Sequence, residues 1–229
     1  MPIVKTVNKN FFKQWSADMA YVLGFFAADG YITCNKRGAY FWCIQITDKK
    51  LLEQIKRVIA SEHKISVRLR PGNESTIYRL QIGSKEMCDD LRKLGFAERK
   101  TKSLAVPNVP NQFWKSFVRG YFDGDGNVWS GYVHKDRKVP LLVVRTVFTS
   151  CSKIFLEHFA RRLESFDIRR GVVSASKGSY YRLTYSVHGS LKLYDFMYNH
   201  DIQTSPPLLL SRKKRVYEKY LKNAAVAQR

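Results

Sequence analysis

The chain has 229 residues, 45% of them apolar, enough to bury a sizeable core in one large domain or two small ones that share an interface, which excludes a disordered polymer. Forty Lys and Arg against nineteen Asp and Glu leave a formal charge of +21 and a pI near 9.9, more than solubility requires, so a polyanionic partner such as nucleic acid is expected. Cys34, Cys43, Cys88 and Cys151 show no CxxC spacing and no matched histidine pair, which argues against a zinc site and a disulfide framework and for an intracellular, reducing compartment.

Residues 1–17 lack the apolar stretch of a signal peptide. A first helix is expected over Asp18–Ala28; its apolar run, Tyr21 to Ala28, is much shorter than the roughly 20 residues that span a bilayer, so no membrane role is expected. Strands follow near 31–36, 40–47, 65–71 and 76–82, rich in β-branched and aromatic residues and split by turn signals at Lys36-Arg-Gly38 and Pro71-Gly-Asn73. Helices are expected at Lys49–Ser61 and Lys85–Leu94. The segment Ala105-Val-Pro-Asn-Val-Pro-Asn111 reads as a linker. Beyond it lie helices at 113–124, 152–165, 189–198 and 212–223 with strands between, and Trp42 and Trp114 are expected in the core.

The two halves repeat one another. Val22-Leu-Gly-Phe-Phe-Ala-Ala-Asp-Gly30 matches Val118-Arg-Gly-Tyr-Phe-Asp-Gly-Asp-Gly126, Leu51-Leu-Glu-Gln-Ile55 matches Phe155-Leu-Glu-His-Phe159, and Ile77-Tyr-Arg-Leu80 matches Tyr180-Tyr-Arg-Leu183. Ordered matches at nearly constant spacing imply duplication. The division expected is a first repeat over 1–104, a linker over 105–112 and a second repeat over 113–229, an α+β fold with a pseudo-twofold relation.

In each first helix the small residues lie four apart, Gly24 with Ala28 and Gly120 with Gly124, so each pair shares one face about 40° apart around the axis. Packed along these faces, the helices would bring their C-terminal residues, Asp29 and Asp125, together. Gly30 and Gly126 are expected at the left-handed position just past each helix. An Asp-Gly pair is also an ordinary turn signal, but two copies in register, each behind a small-residue face, favour a site. A carboxylate at the negative end of a helix is unfavourable by roughly 0.3–1 kcal/mol, and a second acid nearby adds repulsion. Making this placement twice implies a positive charge between the acids, and hard divalent cations with oxygen ligands suit it.

These segments resemble the two motifs of LAGLIDADG homing endonucleases, in the monomeric form that carries both halves in one chain; both glycines and the final Asp-Gly are present in each copy. The departures are Ala27 at the motif's first acidic position, Leu23 and Arg119 at its usual small position, and Phe or Tyr in place of aliphatics. The resemblance implies two tandem αββαββα repeats with saddle-shaped antiparallel sheets and helices on one face. It implies a monomeric endonuclease that cuts both strands of a long, pseudo-palindromic or asymmetric DNA site, leaving short 3′ overhangs. It implies two or three divalent cations, Mg²⁺ with Mn²⁺ or Ca²⁺ substituting in binding, held at Asp29 and Asp125 with Ala28 and Gly124 beside them. A catalytic lysine is implied after the closing helix of each repeat, within Glu98–Ser103 and Leu210–Lys214: Lys102 and Lys213 are the positional choices, with Lys100 and Lys214 as close rivals. Asp48 and Ser152 fall where the family places polar groups that order water.

Base readers are expected on the sheet faces turned away from the helices. Period two puts Thr33, Asn35 and Arg37 on one face, followed by Gln45 with Thr47, Arg68 with Arg70, and Arg79 with Gln81. In the second repeat the candidates are Trp129, Arg145, Thr149, Arg182, Thr184 and Ser186. Arginine can read guanine bidentately, Asn and Gln adenine, while the other Lys and Arg meet phosphates. Two rivals remain on this scaffold: a group I intron maturase that binds its own intron RNA, and a non-catalytic DNA-binding regulator. The five histidines, His200 among them, form no metal-ligand cluster.

Overall fold

Helix starts are set locally by short oxygen-bearing side chains that take otherwise unbonded amide hydrogens. Ser16 Oγ accepts from Met19 N at 3.0 Å to open α1 (Ala17–Asp29), and Asp48 Oδ1 accepts from Leu51 N at 2.9 Å to open α2 (Lys49–Val58). Ser84 does the same for α3 (Lys85–Lys93), through Met87 N at 3.2 Å. Between them run β1 (Gly30–Cys34), β2 (Tyr40–Ile46), β3 (Ile65–Arg68) and β4 (Ile77–Gly83), and α4 (Asn111–Asp125) follows. Next come β5 (Gly126–Val133), β6 (Leu141–Ser150), α5 (Lys153–Glu164), β7 (Val172–Ala175), β8 (Tyr181–Tyr185), α6 (Val187–Tyr198) and α7 (Ser211–Ala227). Asp48 and Ser152 therefore act as helix caps, Ser152 Oγ accepting from Phe155 N at 3.2 Å to open α5.

The computed structural model describes residues 5–69, 76–98, 103–169, 171–199 and 207–227, and the chain divides into two compact units, Met1–Gly124 and Asp125–Arg229. Nearly all of α4 thus lies in the first unit. The segment 103–110 between α3 and α4 has no regular structure but buries Leu104, Pro107 and Val109.

In the first unit the antiparallel sheet has the order β1-β2-β4-β3. The register sets Ile32 opposite Trp42, Trp42 opposite Ile82 and Ile44 opposite Leu80, and this face packs on the helices. Trp42 is fully buried, edge-on to Phe12 at 5.3 Å and to Phe26 at 6.2 Å, and Phe26 meets Phe96 at 5.5 Å. Burying one such side chain is worth roughly 1.5–3 kcal/mol, so this aromatic group anchors α1 to the sheet.

The second unit repeats the order as β5-β6-β8-β7. Phe148, Leu183 and Tyr185 line the helix side with Phe155 and Phe159 of α5. Thr146 on the same side is buried and held at both ends: its amide donates to Ser190 Oγ of α6 at 2.9 Å, and its hydroxyl shares a 2.6 Å hydrogen bond with Tyr217 of α7.

Several sequence expectations need correction. Gly30 has φ −93° and ψ 157°, extended rather than left-handed, and Gly126 likewise opens a strand and is not among the residues with positive φ. The helix passes straight into the strand, and Gly30 is required because a Cβ there would lie 2.0 Å from the Phe26 ring. Asn35 and Arg37 lie in the β1–β2 turn, not on a strand: Asn35 Oδ1 accepts from the amides of Arg37 and Ala39, each at 2.9 Å, and Gly38 takes φ +80°. A short carboxamide that reaches its own backbone ends the strand two residues early. Thr47 lies past the end of β2, and Ser186 is the residue before α6, beyond β8.

Candidate active site and nucleic-acid interface

The helix pair α1 and α4 can be built from its glycines. A Cβ at Gly24 would stand 2.1 Å from Phe117 O and 2.9 Å from Tyr121 N, and one at Gly120 would stand 2.0 Å from Tyr21 O and 3.0 Å from Phe25 N. The two contacts are the same contact seen from opposite helices, as in an isologous interface. Backbone thus touches backbone, leaving no room for a methyl group. Further along, a Cβ at Gly124 would lie 2.4 Å from Ala28 Cβ and 3.3 Å from Asp29 Oδ2. The last turn of α1 and Gly124 of α4 therefore meet, parallel and side by side, and the bare Gly124 leaves space for the Asp29 carboxylate.

Asp29 is the last residue of α1 and is exposed; Asp125 is the last of α4 and is half-buried. Each chain turn from acid to strand is immediate, so each carboxylate sits at a helix–strand corner. In the second unit the Lys213 side chain is buried, 5% exposed, and its Nζ donates to Gly126 O, one residue after Asp125, at 2.5 Å. Its neighbour Lys214 is half-buried, pairs with Glu218 at 3.6 Å and lies 5.8 Å from the Tyr198 ring centre. Lys100, Lys102, Arg70 and His200 lie outside the described residues. No group of three or more His, Cys, Asp or Glu side chains that could hold a metal occurs among the described residues. The donors present at the helix ends are carboxylate and backbone carbonyl oxygens, a set that fits a hard divalent cation sharing its remaining positions with water and phosphate rather than a closed protein cage.

The cross-strand register sorts the remaining candidates. In the first sheet Thr33, Gln45, Arg68, Arg79 and Gln81 fall on the face away from the helices, with Tyr31 and Ser66 among them. Gln45 Nε2 donates to Tyr31 OH at 2.5 Å, and Arg79 Nε to Ser66 Oγ at 3.4 Å. In the second sheet Trp129, Arg145, Thr149, Arg182 and Thr184 share the corresponding face, where Trp129 pairs with Arg145 and Thr149 with Arg182. The Arg182 guanidinium donates to Tyr180 OH at 3.1 Å and stacks on that ring at 5.4 Å. None of the paired strand residues on either face is an acid, so each face is positive by composition.

Tyr31 and Ser66 hold the side chains of Gln45 and Arg79, and Asp123, buried in α4, accepts a 2.7 Å hydrogen bond from Tyr21 OH. The signal for Asp123 was available: it stands four residues after Arg119, on the same side of one helix turn. All four cysteines are free; burial pushes the Cys43 thiol up and the Cys88 thiol up to about 11. No helix among the described residues is long and apolar enough to cross a membrane.

Two sheets with the same antiparallel strand order, each following directly on a helix that ends in aspartate, define the LAGLIDADG fold. The chain belongs to the LAGLIDADG-like domain family, whose model matches it twice, over residues 16–94 and 113–196. Among solved structures it resembles the meganuclease I-SmaMI bound to uncleavable DNA, with a TM-score of 0.61 and 16% identity over 91% of this chain and 90% of that one. It also resembles the LAGLIDADG meganuclease I-AabMI bound to uncleaved DNA, with a TM-score of 0.61 and 14% identity over 91% and 90%. I-SmaMI bound to uncleaved DNA in the presence of calcium ions gives 0.60 and 15% over 94% and 92%. A curated relative, the DNA-directed RNA polymerase subunit Rpo1C of Methanocaldococcus jannaschii, is 30% identical over 155 residues, which is 66% of this chain but 16% of that protein.

Proposed function

We propose that the chain is a site-specific endonuclease that cuts both strands of duplex DNA, with Asp29 and Asp125 holding divalent cations, Mg²⁺ by preference. The observation that carries this reading is the reciprocal glycine contact between α1 and α4, which makes two helices converge in one unit and end in a carboxylate each. Nothing in core stability asks for an acid at a helix C-terminus twice. A cation held there supplies charge neutralisation at the phosphate and lowers the pKa of water, which is what in-line hydrolysis of a phosphodiester needs. The carbonyls of Ala28 and Gly124 add hard oxygen donors beside the carboxylates. Lys213 brings a fixed positive charge next to Asp125 and offsets charge growing on the phosphate oxygens. Lys102 is the matching choice in the first repeat.

The two repeats, 1–104 and 113–229 joined by 105–112, would each serve one half of a long site and one strand. The acid-free sheet faces supply the binding surface, with Arg68, Arg79, Arg145 and Arg182 for guanine or phosphate and Gln45 and Gln81 for adenine. Relatives of this fold solved on DNA support a duplex as the partner. A monomer cutting both strands follows from the duplicated acids, and short 3′ overhangs are what membership of the family implies.

A cleavage selection on a randomised duplex library with Mg²⁺ identifies the site and the overhang. On the selected site, Asp29→Asn and Asp125→Asn are each expected to abolish double-strand cutting while the Kd for DNA stays within about threefold. Cutting by either variant at the wild-type rate, or by wild type in excess chelator, refutes the proposal.

A further inference from the structure

The helix pair is symmetric in its backbone contacts but not in its side chains. Gly24 stands to Phe117 and Tyr121 as Gly120 stands to Tyr21 and Phe25. Under that relation Tyr21 corresponds to Phe117, Asp123 to Ala27, Arg119 to Leu23 and Asp18 to Trp114. One flank of the pair therefore carries ionisable side chains and the other carries none.

On the polar flank Tyr21, fully buried, donates its hydroxyl to Asp123 Oδ2 at 2.7 Å, and Asp123 is 3% exposed. The Arg119 guanidinium, 2% exposed, lies 5.8 Å from the Tyr21 ring centre. Asp18 closes the group: burial pushes its carboxyl up, and the Arg119 charge works against that. On the other flank Trp114 and Phe117 stack at 5.1 Å, and Leu23 and Ala27 are buried with no polar side-chain atom. A buried hydroxyl–carboxylate bond is directional and expensive to leave unmade, whereas apolar packing tolerates small rotations about the helix axis.

We infer that Tyr21 and Asp123 are positioning residues: their hydrogen bond fixes the rotation of the last turn of α4, and with it the direction of the carboxylate two residues on, at Asp125. Consecutive helix residues are about 100° apart, so pinning position 123 pins position 125. Asp29 ends a helix whose corresponding positions are Ala27 and Phe117, where no such bond can form. The two acids are thus aimed by different means, and the cut that depends on Asp125 is the one that loosening this bond slows.

This inference rests on the endonuclease reading, and the test separates the two. A duplex carrying the site selected by the wild-type chain is labelled on each strand in turn, and single-turnover cutting with Mg²⁺ is followed for both labels. Tyr21→Phe, which removes one oxygen, is expected to slow one strand about tenfold more than the other, so that nicked duplex accumulates. Asp123→Ala is expected to slow the same strand. Asp123→Asn keeps an acceptor for the Tyr21 hydroxyl and is expected to restore the wild-type strand ratio. Leu91→Ala, a core truncation in α3, lowers the Tm and leaves the ratio unchanged. Equal slowing of both strands, or a wild-type ratio in Tyr21→Phe, overturns the inference alone; a wild-type chain that cuts neither strand overturns the endonuclease reading and the inference with it.

Discussion

Lys213 and Lys214 are neighbours in a run of basic residues, yet their surroundings differ. Lys213 is buried with its ammonium on the Gly126 carbonyl, while Lys214 reaches the helix surface and pairs with Glu218. Lysine is almost never buried without acceptors, so a lysine fixed beside Asp125 is a better candidate for meeting a phosphate than one already engaged with a surface acid. Lys213→Met is therefore expected to lower the cleavage rate by about 10²-fold or more, in the range seen when a transition-state charge partner is lost. Lys214→Met is expected to change it by less than about threefold. Single-turnover rates on the same duplex decide between them, and equal loss in both variants would remove Lys213 from the site. The sequence held a clue: Lys213, Tyr217 and Tyr220 are spaced as one helix face, and all three are buried.

At the scale of the elements, the helix pair is governed by a conflict between propensity and fit. Replacing a helix glycine with alanine ordinarily helps by about 1 kcal/mol. At Gly24 and Gly120 the new methyl would sit 2.1 and 2.0 Å from a backbone oxygen of the facing helix, and backbone cannot swing aside. Overpacking of that kind costs about 1–3 kcal/mol or more, so the clash wins. Gly24→Ala and Gly120→Ala are each expected to lower the Tm by about 2–10 °C and to reduce cutting without altering any carboxylate. An unchanged Tm and rate in both would show that the helices can part freely. Periodicity alone made this face visible, because glycine and alanine four residues apart must share it. Periodicity does not show what Gly30 is for, where the demand is room for the Phe26 ring rather than a positive φ. The strand end at Asn35 was likewise overextended, since a side chain that bonds its own turn leaves the period-two pattern intact while ending the strand, and β2 ends at Ile46, one residue before Thr47.

For the whole molecule, a formal charge of +21 and two acid-free sheet faces predict binding dominated by phosphate contacts. Affinity for duplex DNA, measured by fluorescence anisotropy in Ca²⁺ so that nothing is cut, is expected to fall by about 10³-fold or more between 50 and 200 mM salt. A nearly flat dependence would remove electrostatics as the source of affinity.

The sequence by itself determined the duplication, the α+β class, the two helices with small-residue faces and the acids at their ends. Each of these is written in local periodicity or in ordered repetition, which survive in one dimension. The tertiary structure decided what depends on neighbours far apart in the chain. It set the reciprocal backbone contact of Gly24 with Phe117 and of Gly120 with Tyr21, the burial of Lys213 against the Gly126 carbonyl, and the bond from Tyr21 to Asp123 across 102 positions. The reason is that burial and hydrogen-bond partnership belong to pairs of elements, and a linear pattern shows which face a residue shares but not what that face meets.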